Sequence, residues 1–188
     1  MDLSWLEASL DVRPLRRSEY DRLVESGAFE NERVELVRGI LLAMSPQGPG
    51  HAYATRKLNR ILVVAVGERA EVQSHSPIAL GVDSEPEPDV ALIPPGGDAH
   101  SLPTSPLLVV EVSDSSLGAD RKVKAILYAQ AGIPEYWIVS LPEDLVEVRD
   151  RPENGVYQRL RTVRRGESIQ LVSFPDIRVL VDAFLPKA

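Results

Sequence analysis

Leu107-Leu108-Val109-Val110-Glu111-Val112-Ser113, a polar loop to Ala119, a helical stretch over 120–131, then Glu135-Tyr136-Trp137-Ile138-Val139 form the stretch on which the fold turns. The first run is almost continuously apolar, as a central strand buried on both faces must be. Val123, Ile126 and Leu127 recur at helical spacing, Gly132 can close the helix as a left-handed cap, and Pro134 stands beyond it. Strand, loop, helix and strand in so short a length read as a βαβ crossover, and hence as at least one parallel pair. Downstream, 145–149, 156–160, 168–172 and 177–180 read as short strands with turns at Glu153-Asn154-Gly155 and Arg165-Gly166, expected to extend the same sheet. Upstream, short strands are expected at 70–75, 77–80 and 89–93, the last introduced by Glu85-Pro86-Glu87-Pro88, whose prolines hold the chain extended. Ala54, Leu58, Ile61, Leu62 and Ala65 mark a helix from His51 onward, and Val34-Glu35-Leu36-Val37, Arg38-Gly39, Ile40-Leu41-Leu42-Ala43-Met44 read as a hairpin. Ser18 with Asp21 gives a capping-box-like start to a short helix that ends near Gly27. No repeat or linker interrupts this order, so the expectation is one mixed α/β domain over 1–188.

The 188 residues carry 21 Lys plus Arg against 28 Asp plus Glu, a formal net charge of −7, with 44% hydrophobic and 26% charged side chains. That is the composition of a globular chain with a sizeable core. Zero cysteines exclude a disulfide framework, a thiol nucleophile and any Cys-ligated zinc or iron–sulfur centre. The apolar runs fall far short of the roughly 18–20 residues of a spanning helix, and the N-terminus lacks the basic and apolar regions of a signal peptide, so the expected location is the cytoplasm. A negative total weighs against a protein that coats nucleic acid, since affinity there comes from neutralised phosphates. The charge is uneven, however: residues 1–35 hold nine acids and five bases, whereas 151–165 hold five arginines and one glutamate.

Glu111 is the oddity of the central strand, because a carboxylate among Val109, Val110 and Val112 is costly to bury unless something pairs with it. The plainer readings are that it faces solvent or meets an arginine. Asp89 opens another apolar strand after Pro88, 22 residues earlier. If the two strands are neighbours, both carboxylates can enter one cleft, where a divalent cation would relieve their repulsion. Oxygen ligands, no cysteine and three scattered histidines, His51, His75 and His100, favour magnesium or manganese over zinc. Asp120, Lys124 and Tyr128 fall at i, i+4 and i+8, a stripe that either faces that cleft or is a solvated face with a weak Asp–Lys pair.

These residues resemble the PD-(D/E)XK nuclease superfamily through Pro88-Asp89 and then Glu111-Val112-Ser113. More closely, the chain resembles the bacterial Uma-type family of restriction-endonuclease-like proteins. The resemblance runs from about residue 15 to the last strand, through Val34-Glu35-Leu36-Val37-Arg38-Gly39, Met44-Ser45-Pro46, His51, Pro88-Asp89-Val90 and Val109-Val110-Glu111-Val112-Ser113-Asp114-Ser115-Ser116. The match is strongest at Asp120 to Lys124 and Tyr128-Ala129-Gln130-Ala131-Gly132-Ile133-Pro134-Glu135-Tyr136-Trp137.

The resemblance implies a restriction-endonuclease-like mixed sheet flanked by helices, with Asp89, Glu111 and the Val112 carbonyl holding magnesium or manganese beside a scissile phosphate of nucleic acid, DNA foremost. Ser113 occupies the superfamily's usual lysine position, and Lys124 on the following helix becomes its substitute. Glu35 matches a helper acid, while Asp120, Tyr128, Ser113 and His51 are supporting residues; Asp120 either pairs with Lys124 or points at the metal. Arg56, Lys57 and Arg60, with Arg159, Arg161, Arg164 and Arg165, are candidate phosphate contacts. A homodimer is expected from a fold family that often cuts duplexes in pairs. Two other classes stand beside a metal-dependent endonuclease: a degenerate member that binds nucleic acid or protein without cutting, and a hydrolase of another phosphate ester.

Overall fold

The computed structural model describes residues 13–187, which divide into two units. The smaller unit holds the described residues through Ser45 together with Leu80–Pro86. Helix α1 (Arg17–Glu25) begins where the Glu19 carboxylate accepts the Arg16 backbone N–H at 2.9 Å. The cap is therefore set by Arg16 and Glu19 instead of Ser18 and Asp21; the helix starts at Arg17, which leaves Ser18 already inside the first turn. Arg38 and Gly39 both take positive φ, 51° and 76°, the conformation of a two-residue type I′ turn. They fold Val34–Val37 (β1) against Ile40–Ala43 (β2) as an antiparallel hairpin. The Tyr20 hydroxyl ties α1 to this hairpin by donating to the Val34 carbonyl at 3.0 Å, and the backbone of Glu85 bridges to Leu36.

Glu85 is buried, and among the described residues its Oε2 has no hydrogen-bond partner. Burial foremost, then the nearby Asp21 carboxylate, push its pKa up to about 7, against the opposing pull of Arg17. A carboxyl whose folded pKa lies above its ordinary 4.5 stabilises the fold fully below that value and loses its contribution as pH rises through about 7. Urea denaturation should therefore show stability falling between pH 5 and pH 8 by about 1–2 kcal/mol, after allowance for solvent screening. Glu85→Gln should flatten that dependence; an unchanged slope would mean that the pair does not titrate there.

The larger unit, Pro46–Ala79 with the described residues from Glu87 onward, carries the main sheet. Helix α2 (Pro49–Val66) has proline in its first turn, where no intrahelical donor is needed. Its Ala54, Leu58, Leu62 and Val66 are buried at the expected helical spacing. The sheet runs β3 (Glu71–Gln73), β4 (Val90–Ile93), β5 (Leu108–Ser113), β6 (Glu135–Ser140), β7 (Leu145–Glu153) and β8 (Val156–Arg164), in that order. Every neighbouring pair is antiparallel except β5 and β6, which are parallel, as the crossover pattern requires. That crossover is made of α3 (Leu117–Ala119), a π-helical turn (Asp120–Lys124) and α4 (Ala125–Gln130).

Alternation on the central strands separates two faces. Val110 and Val112 of β5, Trp137 and Val139 of β6, and Val146 and Val148 of β7 join Leu58 and Leu62 of α2 in the main core. On the other face, Tyr128 of α4 packs edge-on against Tyr136 of β6, with ring centroids 4.9 Å apart, and Tyr136 stacks on Tyr157. The buried Glu135 accepts the Trp137 indole N–H and the Val172 amide, each at 2.8 Å, and burial raises its pKa.

The tail departs from expectation beyond β8. Ser168–Gln170 (β9) and Arg178–Leu180 (β10) pair with each other in a separate two-stranded sheet. Their middle residues, Ile169 and Val179, are buried in the main core with Phe184, so this hairpin covers a face of the sheet instead of lengthening it. Residues 77–80 form no strand: Leu80 makes an isolated bridge to Ser84, and Ala79 donates to the Pro103 carbonyl. Among the described residues, no helix is long and apolar enough to cross a membrane.

Candidate functional site

Register puts the two predicted acids side by side. On β4 and β5, Leu92 faces Leu108, Ala91 faces Val109 and Val90 faces Val110, so one more step sets Asp89 opposite Glu111. The ladder ends at this point, since Pro88 has no N–H to continue it. The Asp89 side chain takes the vacant place, its Oδ2 accepting the Val112 backbone N–H at 2.7 Å. Its carboxylate is thus held at the peptide that joins Glu111 to Val112. In an extended strand the N–H and C=O of one residue project to the same edge, which places the Val112 carbonyl on the edge that Asp89 occupies.

Glu111 is 5% exposed. Its Oε1 accepts the Lys124 ammonium at 2.9 Å and the Tyr128 hydroxyl at 2.7 Å. The stripe read from the sequence therefore faces β5, and Glu111 is paired with a lysine from the crossover helix. Lys124 closes the π-helical turn, in which the Ala125 N–H reaches back to the Asp120 carbonyl, one residue further than in an α-helix. Asp120 does not pair with Lys124. Its Oδ2 accepts the hydroxyls of Ser113 at 2.7 Å and Ser116 at 2.6 Å, two short-range donors that hold it at the end of β5 while the longer lysine extends to Glu111. Ser113, at the position where the resemblance expects a lysine, thus donates its hydroxyl to Asp120. The Tyr136 hydroxyl donates to the Asp120 carbonyl at 3.3 Å; burial foremost, and then the charges of Asp120 and Glu111, push that phenol far up.

On its other side Asp89 meets groups from α2 and from the loop after β3. His51, in the first turn of α2, brings Nε2 to 3.0 Å from Asp89 Oδ2, with its Nδ1 facing the Thr55 hydroxyl at 3.5 Å. His75 Nδ1 lies 3.4 Å from Asp89 Oδ1, and the Gln47 amide nitrogen lies 3.1 Å from His75 Nδ1 and 3.5 Å from Asp89 Oδ1. Two of the three histidines that are scattered in sequence meet at one carboxylate. His75 and Gln47 carry no periodic or motif signal that marks them as neighbours of Asp89. Glu35 lies on β1 of the smaller unit and is buried.

The candidate phosphate contacts divide into two groups. Arg159 and Arg161 pair with the buried Asp150 of β7 at 2.7 and 3.7 Å, and Arg165 pairs with Asp144 and Asp182, so much of the arginine-rich tail is neutralised by its own acids. On α2, Arg56 and Lys57 lie over the Tyr53 ring at 5.8 and 5.5 Å. Tyr53, Arg56, Lys57 and Arg60 make one stripe of that helix. A cavity of about 540 Å3 in the smaller unit, lined by Arg13, Arg16, Ser18 and Arg22 among others, contains none of the predicted site residues.

The mixed sheet with its single parallel pair and crossover helix is a known arrangement. The chain is similar to the crystal structure of "a putative nuclease" from Anabaena variabilis, with a TM-score of 0.74 and 18% identity over 92% of this chain and 98% of that one. That likeness establishes the restriction-endonuclease-like fold. No curated protein matches the chain. Residues 17–182, which include both acids, the crossover lysine and the hairpin that carries Glu35, match the pattern of the Uma2 family, described as "Putative restriction endonuclease", and the chain belongs to that family.

Proposed function

We propose that the protein is a metal-dependent endonuclease that hydrolyses phosphodiester bonds of DNA at Asp89, Glu111 and Lys124. The observation that carries this reading is the grouping at the end of β5: Asp89 held on the Val112 amide, and Glu111 in contact with Lys124 and Tyr128. The donors suit a hard cation. Asp89, Glu111 and the Val112 carbonyl offer oxygen only, and among the described residues no three His, Asp or Glu side chains gather into a metal cage. Magnesium needs no such cage, since it keeps several waters and binds through one or two carboxylates together with substrate phosphate. Those three groups would hold it, and when bound it supplies charge neutralisation at the phosphate and a more acidic attacking water.

The chain's own residues do the rest. Asp89, fixed by the Val112 amide and His51, needs no reorganisation to present its carboxylate. Lys124 brings its ammonium to the edge where charge develops on phosphate oxygens. Tyr128 orients Glu111 through a 2.7 Å hydrogen bond. Asp120 takes the Ser113 hydroxyl, so the position of the superfamily's lysine lends no charge and Lys124 is the cation that replaces it.

Supercoiled plasmid, linear duplex, single-stranded DNA and RNA incubated with magnesium or manganese test this. Nicking of the plasmid, abolished by chelator, is the expected result. Binding that survives chelation, with no cleavage of any substrate, would favour the non-cutting module, which the net charge of −7 and the self-paired tail arginines support.

A further inference from the structure

We propose that His75 is a phosphate contact: its Nε2–H donates to a phosphodiester oxygen of the strand bound at Asp89, with Gln47 fixing the ring. The inference rests on the nuclease reading above and adds a substrate-positioning residue to it. It begins with one amide. The Gln47 amide nitrogen donates to Asp89 Oδ1 at 3.5 Å and lies 3.1 Å from His75 Nδ1, whereas Nδ1 itself, 3.4 Å from the same oxygen, makes no hydrogen bond to it. Nδ1 is therefore the acceptor of that pair, and a neutral imidazole that accepts at Nδ1 carries its proton on Nε2.

That second nitrogen is available. The His75 side chain is 32% exposed, whereas that of His51 is 12% exposed. Among the described residues no hydrogen bond reaches His75 Nε2, while both nitrogens of His51 face partners, Asp89 and Thr55. His51 thus serves Asp89, and His75 presents a donor outward beside it.

The backbone holds the ring in place. His75 has φ of 48°, a conformation that costs a residue with a β-carbon free energy and persists only where neighbours enforce it. Here its N–H donates to the Pro88 and Asp89 carbonyls at 3.2 and 3.3 Å. The preceding Ser74 is tied to α2 by Asn59 at 2.6 Å. A strained residue whose amide is bound to Asp89 and whose ring edge points outward is a rigid arm at the proposed site. The ligand that fits it is an anionic oxygen, because a site with two carboxylates needs donors to accept a phosphate.

The test compares His75→Gln with His75→Asn. The glutamine amide can place N–H near the position of Nε2, and asparagine cannot reach it, yet asparagine tolerates the left-handed backbone. Anisotropy titration of a labelled 20-base-pair duplex in chelator, and single-turnover cleavage with magnesium, are read on both variants and on wild type. Asparagine is expected to weaken duplex binding about tenfold, and glutamine to stay within about threefold of wild type. Wild-type cleavage together with unchanged binding by His75→Asn would overturn this inference and leave the nuclease reading intact. Equal losses in both variants would also overturn it, by showing that the ring has a structural role. Absence of both cleavage and duplex binding in the wild type would remove the two readings together. Should His75→Asn melt earlier than wild type, His75→Gly, which keeps the backbone and removes the donor, replaces it with the same expected loss.

Discussion

Lys124→Met is expected to lower the single-turnover cleavage rate by about 10²–10³ while leaving duplex affinity within about threefold. Lys124 is 8% exposed and stands 2.9 Å from Glu111. Its charge is partly removed from solvent, and a cation there acts in a medium where water screens it weakly. Such a group contributes mainly where negative charge grows during the reaction, so the loss should appear in the rate of the chemical step more than in binding. Methionine matches the length of the lysine stem and fills its buried space, which separates loss of charge from loss of packing. Lys124→Arg should not restore the rate, because a planar guanidinium presents its charge and donors in a different geometry from a compact ammonium. Cleavage by Lys124→Met at the wild-type rate would assign the chemistry elsewhere and return Lys124 to a structural partner of Glu111.

The parts of this arrangement that were legible in the sequence are those set by local periodicity. The apolar run with its one acid, the helical spacing of Val123, Ile126 and Leu127, and the glycine and proline behind them fix β5, the crossover and β6, and with them the parallel pair. The stripe of Asp120, Lys124 and Tyr128 does face the strand that carries Glu111. The pairing within the stripe was not legible. An i, i+4 rule joins Asp120 to Lys124 in an α-helix, but the turn between them is π-helical, and the two serine hydroxyls nearest Asp120 compete for it.

Long-range contacts left no trace in the pattern. His51 is brought to Asp89 by the packing of α2 against the sheet, and His75 by the β3–β4 pairing that sets Gln73 opposite Ala91, tertiary events that neither histidine's neighbours announce. The pairing of Arg159 and Arg161 with Asp150 follows from the long β7–β8 hairpin, whose Asn154-Gly155 turn sets Asp150 opposite Arg159. Composition shows five arginines in that stretch, but only register shows that an acid already engages two of them. Likewise β9 and β10 have the alternation of sheet strands, and what places them on the core is the burial of Ile169 and Val179, which short strands specify only through their tertiary neighbours.

Glu111→Ala should lower stability by about 3–5 kcal/mol in metal-free urea denaturation, a loss expected when one partner of a buried ion pair is removed. The deleted carboxylate accepts both the Lys124 ammonium and the Tyr128 hydroxyl, and all three side chains are buried. Glu111→Gln, which retains an acceptor oxygen and the volume, should lose less. The double variant Glu111→Gln with Lys124→Met should recover most of the remaining loss, because it removes the buried charge along with its partner. If Glu111→Ala unfolds within about 1 kcal/mol of wild type, the pair does not hold the crossover helix to β5, for a buried ion pair broken on one side costs several times that. The size of the expected loss also decides how the proposed active site can be studied. A chain of this size has a stability of only about 5–15 kcal/mol, so a silent Glu111→Ala protein would report on folding as much as on chemistry. Glu111→Gln, which should stay folded while losing the charge proposed to bind metal, is the variant whose loss of cleavage would bear on catalysis more than on folding.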